Sequence, residues 1–304
     1  MNAIATRGLT KVFGAQRAVD RLDLEVPTGS VFGFLGPNGA GKTTTLRMLV
    51  GLSRPTSGTA EVLGVPIGAP GKAYRQKIGY LPDVPGFYDW MTPAGFLSLV
   101  GSVFGLSSRD SERRAAEVLE LAGLGGVKKR IGGFSRGMKQ RLGLAQAMMN
   151  DPELLFLDEP TSALDPIGRR EVLEAVSRLR GRTTVFFSTH ILNDVERVCD
   201  MVAILNGGRL VTQQRIDDLR ESYASHFIYL ELEDKADFTA LAADRPWLGR
   251  VEPFREGWRL MPPRLREAQK GLPELLSANG MIIRRFELLE PSLEDIFVGL
   301  VNGK

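Results

Sequence analysis

One cysteine in 304 residues, Cys199, leaves no partner for an intramolecular disulfide, and a single thiol of this kind reads as a small buried apolar residue. Long apolar runs are missing too. The most apolar window, Phe96 to Leu106, is broken by Ser98, Gly101 and Ser102, whereas a bilayer span needs about 20 such residues. The opening residues Met1 to Arg7 have no charged region followed by an apolar stretch, so no signal peptide is expected. Service to a membrane would therefore come through a partner. An excess of one charge is also lacking: 39 Lys and Arg face 36 Asp and Glu. The longest like-charged run, Lys128-Lys129-Arg130, reads as a solvated helix end rather than a stripe for nucleic acid. There is no internal repeat and no low-complexity tract. What remains, 43% hydrophobic and 25% charged residues, is the composition of an ordinary globular chain, long enough for one large domain and a smaller one.

The pattern of elements gives the fold class. Ser30 to Leu35 is a short apolar strand that runs into a glycine-rich loop, and Thr43 to Leu52 then reads as a helix. Leu154 to Leu157 is a second buried strand, closed by Asp158; Thr184 to Phe187 is a third, closed by Ser188-Thr189-His190. Between these two, Arg169 to Arg180 is helical, with Val172, Leu173, Val176 and Leu179 on one face and Gly181 as a stop. Wholly apolar strands alternating with helices indicate a parallel sheet covered on both faces, which binds ligands at the carboxyl ends of its strands. The stretch from about 85 to 150 is mostly helical and reads as an insertion. Val202 to Leu205 and Arg209 to Val211, joined by Asn206-Gly207-Gly208, read as a hairpin.

Gly36-Pro37-Asn38-Gly39-Ala40-Gly41-Lys42-Thr43 matches G-x-x-x-x-G-K-[ST] between a strand and a helix. Glycines let backbone N–H groups turn inward around phosphates, and the following helix points its positive end at them. Lys42 would reach the outer phosphates and Thr43 would hold Mg²⁺, with Thr44 next in the cradle. Asp158-Glu159 supplies two carboxylates at a strand end, one able to hold Mg²⁺ and one able to orient water.

These motifs, together with Phe134-Ser135-Arg136-Gly137-Met138-Lys139-Gln140-Arg141 and Asp158-Glu159-Pro160-Thr161-Ser162-Ala163-Leu164-Asp165-Pro166, resemble the ATP-binding subunits of ABC transporters over roughly residues 3 to 215. The resemblance implies a dimer. Ser135 and Gly137 would form an anion site at a helix N-terminus that faces the ATP held by the opposite subunit, and Asp165 would lie at the seam. It further implies that His190 contacts the γ-phosphate and the attacking water, and that Phe13, in Lys11-Val12-Phe13-Gly14, stacks on adenine. Asp83 stands where the family commonly has Gln, as a shorter, charged group that would approach Mg²⁺ through water. Arg136 replaces a second Gly and Met138 a common Gln. Both departures look like the exporter branch, which handles drugs, antibiotics, lipids or polysaccharides.

From Ile216 onward no catalytic constellation is visible. Ile228 to Leu232 alternates as a strand, Ile282 to Leu288 offers another, and Ser292 would start a helix with Asp295 in its first turn and Leu293, Ile296, Phe297, Leu300 and Val301 on one face. The ending resembles the small domain appended to many exporter-type subunits. The expected fold is thus α/β: a P-loop NTPase core with a parallel sheet and helical insertion over 1–215, then a small C-terminal α+β domain over 216–304. The expected function is ATP hydrolysis that powers export through a separate integral membrane permease, with ATP and Mg²⁺ bound. The working unit would be a homodimer or a pseudo-dimer with a paralogue, at the cytoplasmic face of the cell membrane, and no nucleic acid would be bound. A nucleic-acid or ribosome ATPase with the same head would tend to carry two heads, a long coiled coil or a basic arm, none of which is present. A regulatory module with a degenerate site is opposed by the intact Lys42, Asp158, Glu159 and His190. Phe87, Tyr88, Trp90 and Met91, after the Asp83 loop, read either as a contact patch for a permease helix or as packing at the base of the insertion.

Overall fold

The computed structural model describes residues 1–69, 74–222, 227–233, 238–289 and 296–297. The chain opens with strands β1 (Asn2–Phe13), β2 (Gln16–Pro27) and β3 (Val31–Leu35), then helix α1 (Lys42–Leu49). Strands β4 (Ser57–Val62), β5 (Val65–Pro66) and β6 (Ile78–Leu81) lead to helices α2 (Pro93–Val103), α3 (Ser108–Leu121) and α4 (Arg136–Ala147). Next come β7 (Leu154–Asp158), α5 (Pro166–Ser177), β8 (Thr184–Thr189), α6 (Leu192–Val198), and the hairpin β9 (Met201–Asn206) and β10 (Arg209–Arg215). The remainder holds α7 (Ile216–Ser222), β11 (Phe227–Leu232), α8 (Phe238–Ala243), β12 (Arg250–Phe254), β13 (Gly257–Met261), α9 (Leu265–Ala278) and β14 (Ile283–Leu289).

The central sheet has the order β10-β9-β3-β8-β7-β6, with every pair parallel except the β9–β10 hairpin. Each residue of β3, β7 and β8 is buried, as expected of strands covered on both faces. Phe32, Phe34, Phe156 and Phe186 meet across them, with Phe32 and Phe186 stacked at 5.7 Å. A second, antiparallel sheet, β2-β1-β4-β5, was not evident in the sequence. It shares one core with the central sheet, in which Ile4, Leu9 and Val19 pack with Leu46, Met48 and Leu49 of α1 and with Phe34 and Phe156.

The insertion between β6 and β7 is helical, as expected. Its helices start where local chemistry dictates. Thr92 caps α2 by accepting from the Gly95 N–H at 3.2 Å ahead of Pro93, and Ser107 caps α3 through Asp110. Gly123, at φ 64°, follows the end of α3, and Lys128-Lys129-Arg130 lies exposed in the connection to α4, where Arg130 precedes a single 3-10 turn, Ile131–Gly133. Gly51, at φ 78°, likewise follows the end of α1, which stops at Leu49 and not at Leu52. The α5 helix begins earlier than its apolar stripe suggests, at Pro166, because Asp165 caps it through the Gly168 N–H at 2.7 Å.

The chain divides into two compact units, Met1–Ile216 and Asp217–Lys304. In the second, β12-β13-β11-β14 form an antiparallel sheet on which Phe238 of α8 and Ala268, Leu272 and Leu276 of α9 pack against Ile228, Leu230 and Leu260. The expected helix from Ser292, with Leu293, Asp295, Leu300 and Val301, lies outside the described residues except for Ile296 and Phe297, which are helical. Among the described residues no helix is long and apolar enough to cross a membrane.

Candidate functional site

The carboxyl ends of β3, β7 and β8 lie side by side, because the register pairs Leu35 with Thr189 and Asp158 with Ser188. The loop after β3 is tied to β8 by the Gly36 N–H, which donates to the Thr189 carbonyl at 3.3 Å. It closes on itself through Ala40 N–H to Pro37 O at 3.1 Å. Gly41, at φ 101°, precedes α1 as its N-cap, and a Cβ there would collide with the Ala18 carbonyl of β2. The first amides of α1 have no intrahelical partner, which makes this end an anion cradle.

Lys42 is 5% exposed. Its ammonium donates to the carbonyls of Gly36 at 2.7 Å and Pro37 at 3.2 Å, and pairs with Glu159 Oε1 at 3.1 Å. The other Glu159 oxygen meets His190 Nδ1 at 2.8 Å. Lys42, Glu159 and His190, brought from three strand ends, thus form one chain of polar contacts. Glu159 has the left-handed φ of 48°, a conformation uncommon outside glycine that clusters at functional positions. Its N–H is held by the Ser188 carbonyl at 3.0 Å.

Asp158, the last residue of β7, is buried. Its Oδ1 accepts from Thr43 Oγ1 at 3.1 Å and from Ser188 Oγ at 3.3 Å. Burial raises its carboxyl above the ordinary range; the Thr43 and Ser188 hydroxyls oppose this, and the Glu159 and Asp83 charges add to it. Asp83 follows β6. Its main-chain carbonyl accepts from the Gln140 side chain at 2.7 Å, while its Oδ1 is buried with no hydrogen-bond partner.

Lys42, Glu159 and His190 line a cavity of about 470 Å³ that also takes in Phe13, Asn38, Gly39, Gly41, Thr43, Thr44 and Asp83, while Asp158 lies buried behind it. Gly36, Pro37 and Ala40 complete the loop beneath. Phe13 ends β1, is 54% exposed, and has the Lys11 ammonium 5.0 Å from its ring centroid. Ser135 and Gly137 do not line the cavity. Ser135 caps α4 by accepting from Met138 N–H at 3.2 Å, and Gly137 is where α4 meets α5. A Cβ on Gly137 would stand 3.3 Å from the Cα of Gly168.

Three lining residues, Gln16, Ala18 and Ser162, were not singled out from sequence. Gln16 pairs with Phe13 across the turn between β1 and β2. The signal was the short turn Gly14-Ala15, which the unread antiparallel sheet concealed. Gln140, buried and holding the Asp83 loop to the signature helix, was quoted as part of a motif but given no role.

Comparison with known proteins gives the family and the fold. Residues 19–162 match the family model described as ABC transporter, and residues 215–301 match the C-terminal domain of ATP-binding proteins like DrrA1-3. The chain is 39% identical over 304 residues to the uncharacterized ABC transporter ATP-binding protein YxlF of Bacillus subtilis, covering 99% of this chain and 100% of that one. It is 38% identical over 303 residues to the bacitracin transport ATP-binding protein BcrA of Bacillus licheniformis, covering 99% and 97%. To the Nod factor export ATP-binding protein I of a Rhizobium species it is 35% identical over 307 residues, covering 99% and 97%. Among solved structures, the ATP-binding subunit of an ABC transporter superposes with a TM-score of 0.64 at 30% identity, covering 73% of this chain and 93% of that one. A dimeric ATP-binding cassette with ADP and Pi shares the fold, with a TM-score of 0.63 at 23% identity over 70% of this chain and 98% of that one.

The crowding at Gly41 makes a simple expectation. Gly41→Ala forces the loop or β2 to move, so nucleotide affinity should fall by about tenfold or more, about 1.4 kcal/mol. Titration with a fluorescent ATP analogue checks this; unchanged affinity would show that the loop accommodates the methyl group.

Proposed function

The chain belongs to the ATP-binding subunits of ABC transporters, and on that premise we propose that the 36–44 loop, Asp158, Glu159 and His190 form one half of an ATP site completed by Ser135 and Gly137 of a second copy. The subunit binds and hydrolyses ATP to power export through a separate membrane permease. The observation that carries the division of labour is the chain Lys42–Glu159–His190, with contacts of 3.1 and 2.8 Å, at the mouth of the phosphate loop.

In this reading the amides of residues 36–44 cradle the phosphates and Lys42 meets the outer ones. Phe13 offers its exposed ring to adenine, a contact that needs only a π-face. Glu159 accepts a hydrogen bond from the attacking water and draws off its proton as the bond to the γ-phosphorus forms. His190, bonded to Glu159 through Nδ1, keeps Nε2 for the γ-phosphate. Thr43, Asp158 and Asp83 supply hydroxyl and carboxylate oxygens, the donors that a hard cation takes. The unpartnered Asp83 Oδ1 supports a group beyond the protein's own donors at this point. Mg²⁺ held there would neutralise phosphate charge. Among the described residues no three His, Cys, Asp or Glu side chains converge as a metal-holding group by themselves, so phosphate oxygens would complete its shell. Glu159→Gln keeps the shape and removes the base. Turnover should fall by about a hundredfold or more with ATP affinity retained. Hydrolysis within about threefold of the parent, under 1 kcal/mol of barrier, would give Glu159 another role.

The helix-terminal position of Ser135 and Gly137, away from their own chain's cavity, supports a site shared between two copies. The helix N-terminus there is an anion seat with no phosphate of its own to hold. A homodimer is the simplest arrangement. Lys42→Ala disables a chain's own loop, and Ser135→Arg obstructs only its partner's site. Mixing the two variants should place both lesions in one site, leave the other intact, and restore ATPase activity that neither variant has alone. Normal turnover by Ser135→Arg alone would refute the sharing.

Tyr88 and Trp90 are 53% and 68% exposed, while Phe87 turns inward, edge-on to Phe96 at 5.3 Å. Phe87 therefore packs, and Tyr88 and Trp90 support a contact surface. A groove of about 270 Å³ runs between core and insertion, with Leu52 from one side and Phe104 from the other. The exposed Tyr88 and Trp90 side chains, which lie outside the lining of that groove, would contact a cytosolic helix of the permease and hold the subunit at the cytoplasmic face of the membrane. Changing Tyr88 and Trp90 together to Ala should alter folding stability by less than about 1 kcal/mol and leave basal ATPase activity in place. Recovery of the subunit with permease-containing membranes should drop. A large fall in melting temperature with binding retained would make the two residues core.

A further inference from the structure

Asp194 lies in the first turn of α6, four residues after His190, and is fully buried. Its Oδ2 accepts from Thr161 Oγ1 at 2.6 Å and its Oδ1 from Arg169 Nε at 2.6 Å. Thr161 is itself buried, in the loop that leaves β7 through Glu159 and reaches Asp165; Arg169 lies in the first turn of α5. One carboxylate therefore fastens three segments together: the loop carrying Glu159, the start of α5, and the helix that follows His190.

That loop needs fastening. Glu159 and Ala163 have φ values of 48° and 51°, left-handed conformations that non-glycine residues hold only where the surroundings over-determine them. Its main-chain bonds are few: Glu159 N–H to Ser188 O at 3.0 Å, and within the loop Ser162 N–H to Glu159 O at 3.0 Å and Leu164 N–H to Thr161 O at 3.4 Å. The Thr161 hydroxyl adds a bond to a buried anion midway between the two left-handed residues. Bonds to ionised acceptors are the stronger kind.

The geometry points to Asp194 as a positioning residue for hydrolysis: it holds Thr161 so that Glu159 and His190, on separate segments, keep their 2.8 Å contact. It makes no bond to residues 36–44, so the effect falls on turnover and not on nucleotide binding. The inference rests on the reading of Glu159 as the residue that orients water.

The test uses the full-length chain with Thr161→Val, which keeps the shape and removes the hydroxyl, and Thr161→Ser, which keeps the hydroxyl. The expected result is a kcat for Thr161→Val lower by about tenfold or more, with the KM for ATP within about twofold, and a Thr161→Ser kcat within about threefold of the parent. Asp194→Asn should resemble Thr161→Val, and the double variant should fall no further than the worse single one, since both cut the same link. If Asp194→Asn does not fold, the Thr161 pair decides. Parental turnover by Thr161→Val, an equal loss in Val and Ser variants, or a KM that rises as far as kcat falls would overturn the proposal. Glu159→Gln measured alongside separates the two failures. If Glu159→Gln is inactive and Thr161→Val is not, the positioning role alone is wrong; if Glu159→Gln is active, the underlying reading is wrong.

Discussion

Three parallel strands with no exposed residue govern this molecule. Since β3, β7 and β8 are covered on both faces, a charged side chain within them would lie in the core without solvent. The polar residues are therefore driven to the strand ends, and the register makes those ends flush, with Leu35 beside Thr189 and Asp158 beside Ser188. A shift of register would separate the phosphate loop from its carboxylates by a residue's length, about 3.3 Å, enough to break every side-chain contact there.

The site so formed has an electrostatic imbalance. Asp83 and Glu159 line a cavity into which Lys42 brings a positive charge, with Asp158 buried beside them. Burial and the neighbouring carboxylates hold the Asp158 carboxyl above its usual range. A phosphate chain alone would be repelled by these carboxylates, whereas one accompanied by a divalent cation meets a complementary surface. The Mg²⁺ proposed above would thus answer the protein's own charges as well as those of the nucleotide.

Asp158, Glu159 and His190 could be placed because each ends or follows an apolar strand, and Lys42 because it closes the glycine-rich loop ahead of α1, placements that local sequence records. Gln140 gains its importance from a contact across the fold, reaching a carbonyl 57 residues away, and no local pattern marks such a bond. The antiparallel sheet was hidden for a different reason. Register shifts break the alternation of β1 and β2, and β4, Ser57-Gly58-Thr59-Ala60-Glu61-Val62, reads as polar because only Ala60 and Val62 are buried. In the second unit, Pro273 inside α9 disguises a stripe of Leu265, Ala268, Leu272 and Leu276 that otherwise has helical spacing.

The segment bearing Tyr88 and Trp90 is laced by backbone bonds to the residues just before the signature helix: Ile131 N–H to Met91 O at 3.0 Å and Gly132 N–H to Asp89 O at 2.9 Å. Main-chain bonds of this kind tie the segment bearing the aromatic pair to the residues that lead into α4. In the shared site proposed above, where Ser135 serves the nucleotide of the other copy, the wiring would be crossed. Each permease contact would report to the ATP on the opposite side, and neither subunit could act on its own transport signal without its neighbour.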